Sequence, residues 1–172
     1  AAGYGDFITH LYNNPSRLRF TTELFPAVMQ GENAPRSIIA ALESVAGRMD
    51  DFDCVVVIRG GGATGDLASF DDYDLAANIA QFPLPVIVGI GHERDVTILD
   101  YVAAVRVKTP TAAAEWLIGR METALGRVRE VASELFRLAV SKVSGGLQQL
   151  AYYQGLLPSL VLGKIGRARS SL

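Results

Sequence analysis

Sulfur chemistry is nearly absent from this chain. Its 172 residues include one cysteine, Cys54, which excludes an internal disulfide framework and a multi-cysteine zinc site. Cys54 adjoins Val55, Val56, Val57 and Ile58, where a small buried thiol is the expected role. Long apolar runs are also missing. None approaches the roughly 18 residues a membrane helix needs, and no basic-then-apolar leader opens the chain at Ala1, so neither a membrane span nor a signal peptide is expected. No Gly-x-Ser-x-Gly marks a serine nucleophile, and no Gly-Lys-Ser/Thr completes a P-loop. Cations are scarce in the first part. Residues 1–101 hold 6 arginines, no lysine and 14 acids, a net −8, whereas residues 102–172 hold 10 basic and 4 acidic residues, a net +6. The acidic half alone does not suggest a nucleic-acid binder; the basic half does. With 49% hydrophobic residues, disorder is excluded and a packed core is expected.

What is present alternates helix with strand. Asp6 to Tyr12 is a short amphipathic stretch stopped by Asn13-Asn14-Pro15-Ser16. Leu18 to Phe25 reads as a strand, Gly31 to Pro35 as a turn, and Ser37 to Met49 as a helix carrying Ile38, Ile39, Leu42, Val45 and Met49. Cys54–Ile58 and Val86–Ile90 read as strands covered on both faces. Asp71 or Asp72 caps a helix to about Gln81, and Asp95 caps a short one ending near Val102. This order predicts an α/β fold with a parallel sheet, in which ligands sit outside the carboxyl ends of the strands. Beyond Lys108 the character is helical, opened by Thr109-Pro110. Leu125, Val128, Ala132, Leu135 and Ala139 recur at steps of 3, 4, 3 and 4, a coiled-coil seam that needs a partner helix. Gly145-Gly146 either breaks or weakens that helix, and residues 147–172 are helical with an interruption near Pro158. The division expected is an α/β domain over 1–110 and a helical coiled-coil extension over 111–172.

Two strand exits carry the chemistry. Arg59-Gly60-Gly61-Gly62 places a planar, phosphate-matching fork before a loop whose N–H groups a ligand can approach. Gly60-x-Gly62-x-x-Gly65 fits a dinucleotide pattern, but Asp66, Asp71, Asp72 and Asp74 follow it, where a pyrophosphate site should be free of carboxylates. The second exit, Gly91-His92-Glu93-Arg94-Asp95, sets a general acid/base three residues from a carboxylate that can orient it. The alternative is a loop histidine beside a helix-capping Asp95. His10 reads as a surface residue. Asp66, Glu93 and Asp95 could form a carboxylate metal site, without diagnostic spacing.

Arg59-Gly60-Gly61-Gly62, Asp66-Leu67, Phe70, Gly91-His92-Glu93, Asp95-Val96-Thr97-Ile98, Asp100 and Thr109-Pro110-Thr111-Ala112-Ala113-Ala114-Glu115, in that order, resemble the large subunit of exodeoxyribonuclease VII over about residues 1–118. The resemblance implies hydrolysis of single-stranded DNA from either end to oligonucleotides, in the cytoplasm, with a catalytic Asp, Arg, His and second Asp. These fall on Asp6, Arg59, His92 and Asp95, with Gly60, Gly61 and Gly62 at the phosphate. It implies a small-subunit partner, docking or self-association through the helices, and no strict metal requirement, although Asp6, Asp66 and Asp95 leave Mg²⁺ as an option. Ala63 stands where the family usually has Ser, Asp71 where Asn is common and Arg94 where Thr is common. The family's amino-terminal OB-type domain and most of its distal coiled coil are not in the sequence, so a fragment, inactive alone, is the expectation. The rival reading is a non-catalytic α/β scaffold with a basic interaction arm.

Overall fold

A computed structural model describes residues 2–60, 67–90 and 96–169, and the side chains of residues 3–165 among these. Helix α1 (Ala2–Tyr12) is followed by an extended stretch, α2 (Ala34–Ala46), a 3-10 turn (Met49–Asp51) and β1 (Val55–Ile58). A second 3-10 turn (Ala68–Phe70) leads to α3 (Tyr73–Ala80), β2 (Val86–Gly89), α4 (Ile98–Val102), β3 (Val105–Arg106) and α5 (Pro110–Arg169). The strands pair in the order β1-β2-β3. Both pairings are parallel, as the alternation of strand and helix predicts, with Val55 opposite Val86, Ile58 opposite Gly89 and Val88 opposite Arg106.

Alternate strand residues serve opposite layers, because successive side chains leave opposite faces. Val57, Val86 and Val88 pack with Ile38 and Leu42 of α2, Leu75 and Ile79 of α3, and Leu99 of α4. Val56, Ile58, Ile87 and Val105 face the other way, onto Phe7 and Leu11 of α1 and Ala113, Ala114 and Ile118 of α5. Each buried Leu, Ile or Phe contributes about 1.5–3 kcal/mol, so two such clusters clamp the three strands between helical layers. The chain divides into two compact units, Ala1–Glu122 and Thr123–Leu172. The first unit includes the start of α5, since Ala113, Ala114 and Ile118 are core residues.

Several local expectations hold. Asn14 ends α1: its Nδ2 donates to the Leu11 carbonyl at 2.9 Å and the Leu18 carbonyl at 2.8 Å, and its Oδ1 accepts from the Leu18 N–H at 2.8 Å. The Thr109 hydroxyl accepts from the Ala112 N–H at 3.1 Å, capping α5 as Thr-Pro predicts. His10 lies at the surface, with Nε2 3.5 Å from Glu115 Oε1.

Others are corrected. Residues 18–25 are extended but belong to no strand. Leu18 and Phe20 pack on the α1 side of the sheet, and Arg48 holds Glu23 through two bonds of 2.8 and 3.0 Å. An apolar alternation marks a half-buried extended backbone but does not choose its hydrogen-bonding partner. Helix α2 begins at Ala34, ahead of Ser37, because Pro35 fits a first turn. The cap of α4 is Thr97 rather than Asp95. Helix α5 runs unbroken through Gly145, Gly146 and Pro158, which removes the turn a folded-back 147–172 segment needs. The seam is not buried within the chain: Val128 and Leu135 are 65% and 62% exposed.

Candidate active site

Parallel register sets the geometry of the strand exits. Ile58 lies opposite Gly89, so Arg59 and Ile90 leave neighbouring strands side by side and in the same direction. Arg59 is 9% exposed. A guanidinium so little hydrated interacts more strongly with an anion than one in open water.

Helix α1 reaches this exit through Gly3. A Cβ on Gly3 would stand 2.7 Å from Gly60 Cα, 2.9 Å from the Arg59 carbonyl oxygen and 2.9 Å from the Gly60 nitrogen. Only glycine lets the helix lie this close to backbone that cannot rotate away. Asp6 follows Gly3 by three residues and is exposed, so it neighbours Gly3 on the helix surface. Phe7 and Leu11, at four and eight residues from Gly3, bury the inner face of α1 against the sheet.

Carboxylates hold the backbone that follows each exit loop. Asp72 caps α3, its Oδ1 accepting from the Leu75 N–H at 2.8 Å. Asp71 does something else: its Oδ1 accepts from the Ile98 N–H at 2.8 Å. Asp100 Oδ2 accepts from the Thr97 N–H at 2.8 Å and the Thr97 hydroxyl at 3.2 Å. Its Oδ1 lies 3.3 Å from Arg106 Nε, and its side chain is 1% exposed.

Of the candidate residues, the structure describes Asp6, Arg59 and Gly60. It brings the first turn of the Asp6 helix onto the Arg59–Gly60 backbone. Gly61, Gly62, His92 and Asp95 lie outside the described residues, as do Asp66 and Glu93. Among the described residues, no group of three or more His, Cys, Asp or Glu could hold a metal ion. No helix among them is long and apolar enough to cross a membrane. A cleft of about 270 Å³ between α2 and α3, lined by Leu42, Ala46, Ala77 and Phe82, draws on none of the candidate residues. Sequence reasoning missed Gly3 and the Asp71 and Asp100 contacts. The Thr97-x-x-Asp100 spacing carried a signal, since it is that of a capping box.

A profile of the family described as "Exonuclease VII, large subunit" matches residues 1–169. The chain belongs to this family. It is 38% identical over 113 residues to the exodeoxyribonuclease 7 large subunit of Lactobacillus helveticus, covering 66% of this chain and 25% of that protein. It is 44% identical over 114 residues to the protein of the same name from Brevibacillus brevis, covering 66% and 25%. With that of Shouchella clausii it shares 39% over 145 residues, covering 84% and 31%. The matched segment is thus about a quarter to a third of these curated relatives. The stretch found by resemblance, 1–118, falls within the family match.

Proposed function

We propose that this chain is the catalytic part of an exonuclease VII large subunit, hydrolysing phosphodiester bonds of single-stranded DNA to oligonucleotides in the cytoplasm. Residues 1–110, completed by the first turns of α5 that carry Ala113, Ala114 and Ile118, form the catalytic domain, and the rest of 111–172 is the helical extension through which a small subunit or a second copy docks. One observation carries this reading within the family frame: β1 and β2 end in register, so the Arg-Gly-Gly-Gly and Gly-His-Glu-x-Asp segments depart from adjacent strand ends.

In this reading Arg59 and the N–H groups of Gly60, Gly61 and Gly62 take the phosphate oxygens and stabilise the charge that builds as water attacks phosphorus. His92 moves the proton, either from the attacking water or to the departing sugar oxygen. Asp95 or Asp6 orients the imidazole or the water. Arg59 and the imidazolium carry the charge compensation, so no metal is required.

The test uses the intact protein. His92→Ala is expected to lower single-strand cleavage about 10²–10⁴-fold with the fold retained, and wild-type cleavage is expected to persist in excess EDTA. Cleavage by the histidine variant at the wild-type rate would remove His92 from the site, and absence of cleavage by the intact wild-type protein would return the chain to the scaffold reading. Loss of activity in EDTA, restored by Mg²⁺, would instead place the metal option at Asp6, Asp66 and Asp95.

A further inference from the structure

Asp71 occupies an unusual place. It directly follows the 3-10 turn Ala68–Phe70, a few residues after the glycine loop. Yet its carboxylate does not cap α3, the next helix; Asp72 does that. Asp71 Oδ1 instead accepts from the N–H of Ile98, 27 residues away in sequence, at 2.8 Å. Ile98 opens α4, three residues past Asp95. The preceding N–H, that of Thr97, is held by Asp100, whose other oxygen faces Arg106 on β3. Two consecutive backbone N–H groups are therefore each fixed by a different carboxylate. One carboxylate belongs to the segment leaving the glycine loop. The other is tied to the strand that pairs with β2 at Val88.

We infer that Asp71 and Asp100 are positioning residues for the nuclease reaction, clamping the Thr97–Ile98 backbone so that the chain following one strand exit is held to the chain following the other. The inference rests on the nuclease reading above. Residues 61–66 end five residues before Asp71, and residues 91–95 end one residue before Val96-Thr97. The chain that resumes after each, at Leu67–Asp71 and at Val96–Ile98, is thus tied together by the Asp71–Ile98 bond. Phosphoryl transfer depends on such registration, since a displacement of about 1 Å costs about 10²-fold in rate. Asp100 is the inner arm, buried and ion-paired. Asp71 is the outer arm and is exposed, so it can be changed without opening the core. The bond needs only an acceptor oxygen, which asparagine also supplies.

The experiment compares Asp71→Ala and Asp71→Asn in the intact protein, with circular dichroism as the check on folding. Asp71→Ala is expected to lower kcat on a single-stranded oligonucleotide about 10²-fold with KM nearly unchanged, and Asp71→Asn is expected to restore it. In hydrogen exchange, Asp71→Ala speeds exchange at Ile98 and across residues 91–98 by about tenfold, as the loss of one hydrogen bond implies, and Asp71→Asn does not. A merely structural role would lower the melting temperature of the alanine variant and leave kcat per folded molecule and the asparagine comparison unmoved. Wild-type kcat in Asp71→Ala, or equal losses in both variants, overturns the inference. His92→Ala in the same assay separates the two failures. If it cleaves normally, the nuclease site is misassigned; if it is dead while Asp71→Ala is normal, the clamp alone falls.

Discussion

At the scale of single residues, the proposed site rests on a missing side chain as much as on the charged ones. Gly3→Ala puts a methyl 2.7 Å from Gly60 Cα and 2.9 Å from the Arg59 carbonyl oxygen. All three near neighbours are backbone, so the helix itself must shift. Overpacking of this kind costs about 1–3 kcal/mol. We expect a lower denaturant midpoint and, in the intact protein, weakened cleavage; an unchanged midpoint would show that α1 does not press on this exit. Nothing in the sequence singles out Gly3 from Gly5, because close approach is a tertiary fact. The exits were different: Arg59 and His92 stand out because each follows an apolar β-branched run beside glycine. Cys54 supplies a second residue-scale test. Burial first, and the neighbouring Asp53 second, push its thiol pKa up. At neutral pH the thiolate is thus scarcer than on a free cysteine, and alkylation of the native chain is slow, accelerating only above the usual thiol range. The sign for stability follows: charging the thiol is easier in the unfolded chain, so its contribution is intact below the unfolded pKa and declines as pH rises through the folded one. Cys54 is half-buried rather than fully buried, and alkylation as fast as in urea would contradict even that partial shielding.

At the scale of elements, the legible pieces were those whose periodicity matched their packing. β1 and β2 are β-branched runs in a parallel sheet, β2 buried throughout and β1, at the sheet edge, half-buried except at Val57, and α2 and α3 show a helical apolar stripe; sequence and structure agree on the bounds within a few residues at each end. β3 was missed because two residues, Val105 and Arg106, carry no period at all. It is a strand because Val107 N–H reaches the Val88 carbonyl at 2.9 Å and Val105 pairs with Ile87. The 18–25 stretch failed in the opposite way: it had a period but found no ladder. In α5 the sequence left Gly145-Gly146 undecided, since glycine weakens a helix without forbidding it. The helix continues there, and a Cβ at either position meets nothing within 4 Å. Gly145→Ala and Gly146→Ala should therefore each stabilise the helix by about 0.5–1 kcal/mol. Ellipticity at 222 nm and the melting midpoint are expected to rise. A fall in either would mean that the chain uses these glycines as a turn in solution.

At the scale of the whole molecule, charge separates along the chain: −8 over residues 1–101 and +6 over 102–172. Single-stranded DNA is a polyanion, and phosphate contacts provide most non-specific affinity. The first segment offers arginines outnumbered by carboxylates. The basic residues Arg127, Arg129, Arg137 and Lys142 are all exposed on α5. Binding by this 172-residue chain is thus expected to be weak, in the range of about 10⁻⁴–10⁻⁶ M at physiological salt, and to run through the helix. If two or three phosphates are contacted, the slope of log K against log salt is about −1.4 to −2.1, so a fourfold rise in salt weakens binding about 7- to 18-fold. Arg127→Ala with Arg129→Ala should flatten that slope and weaken binding equally for all base sequences. Fluorescence anisotropy with a labelled oligonucleotide at two salt concentrations measures both. The competing physics is stacking. Tyr152 and Tyr153 are 64% and 55% exposed, and base–aromatic stacking adds about 1–3 kcal/mol per base without releasing counterions. Tight binding that persists at high salt and disappears with Tyr152→Ala and Tyr153→Ala would mean that aromatic stacking outweighs charge in this chain, and the electrostatic account would be wrong.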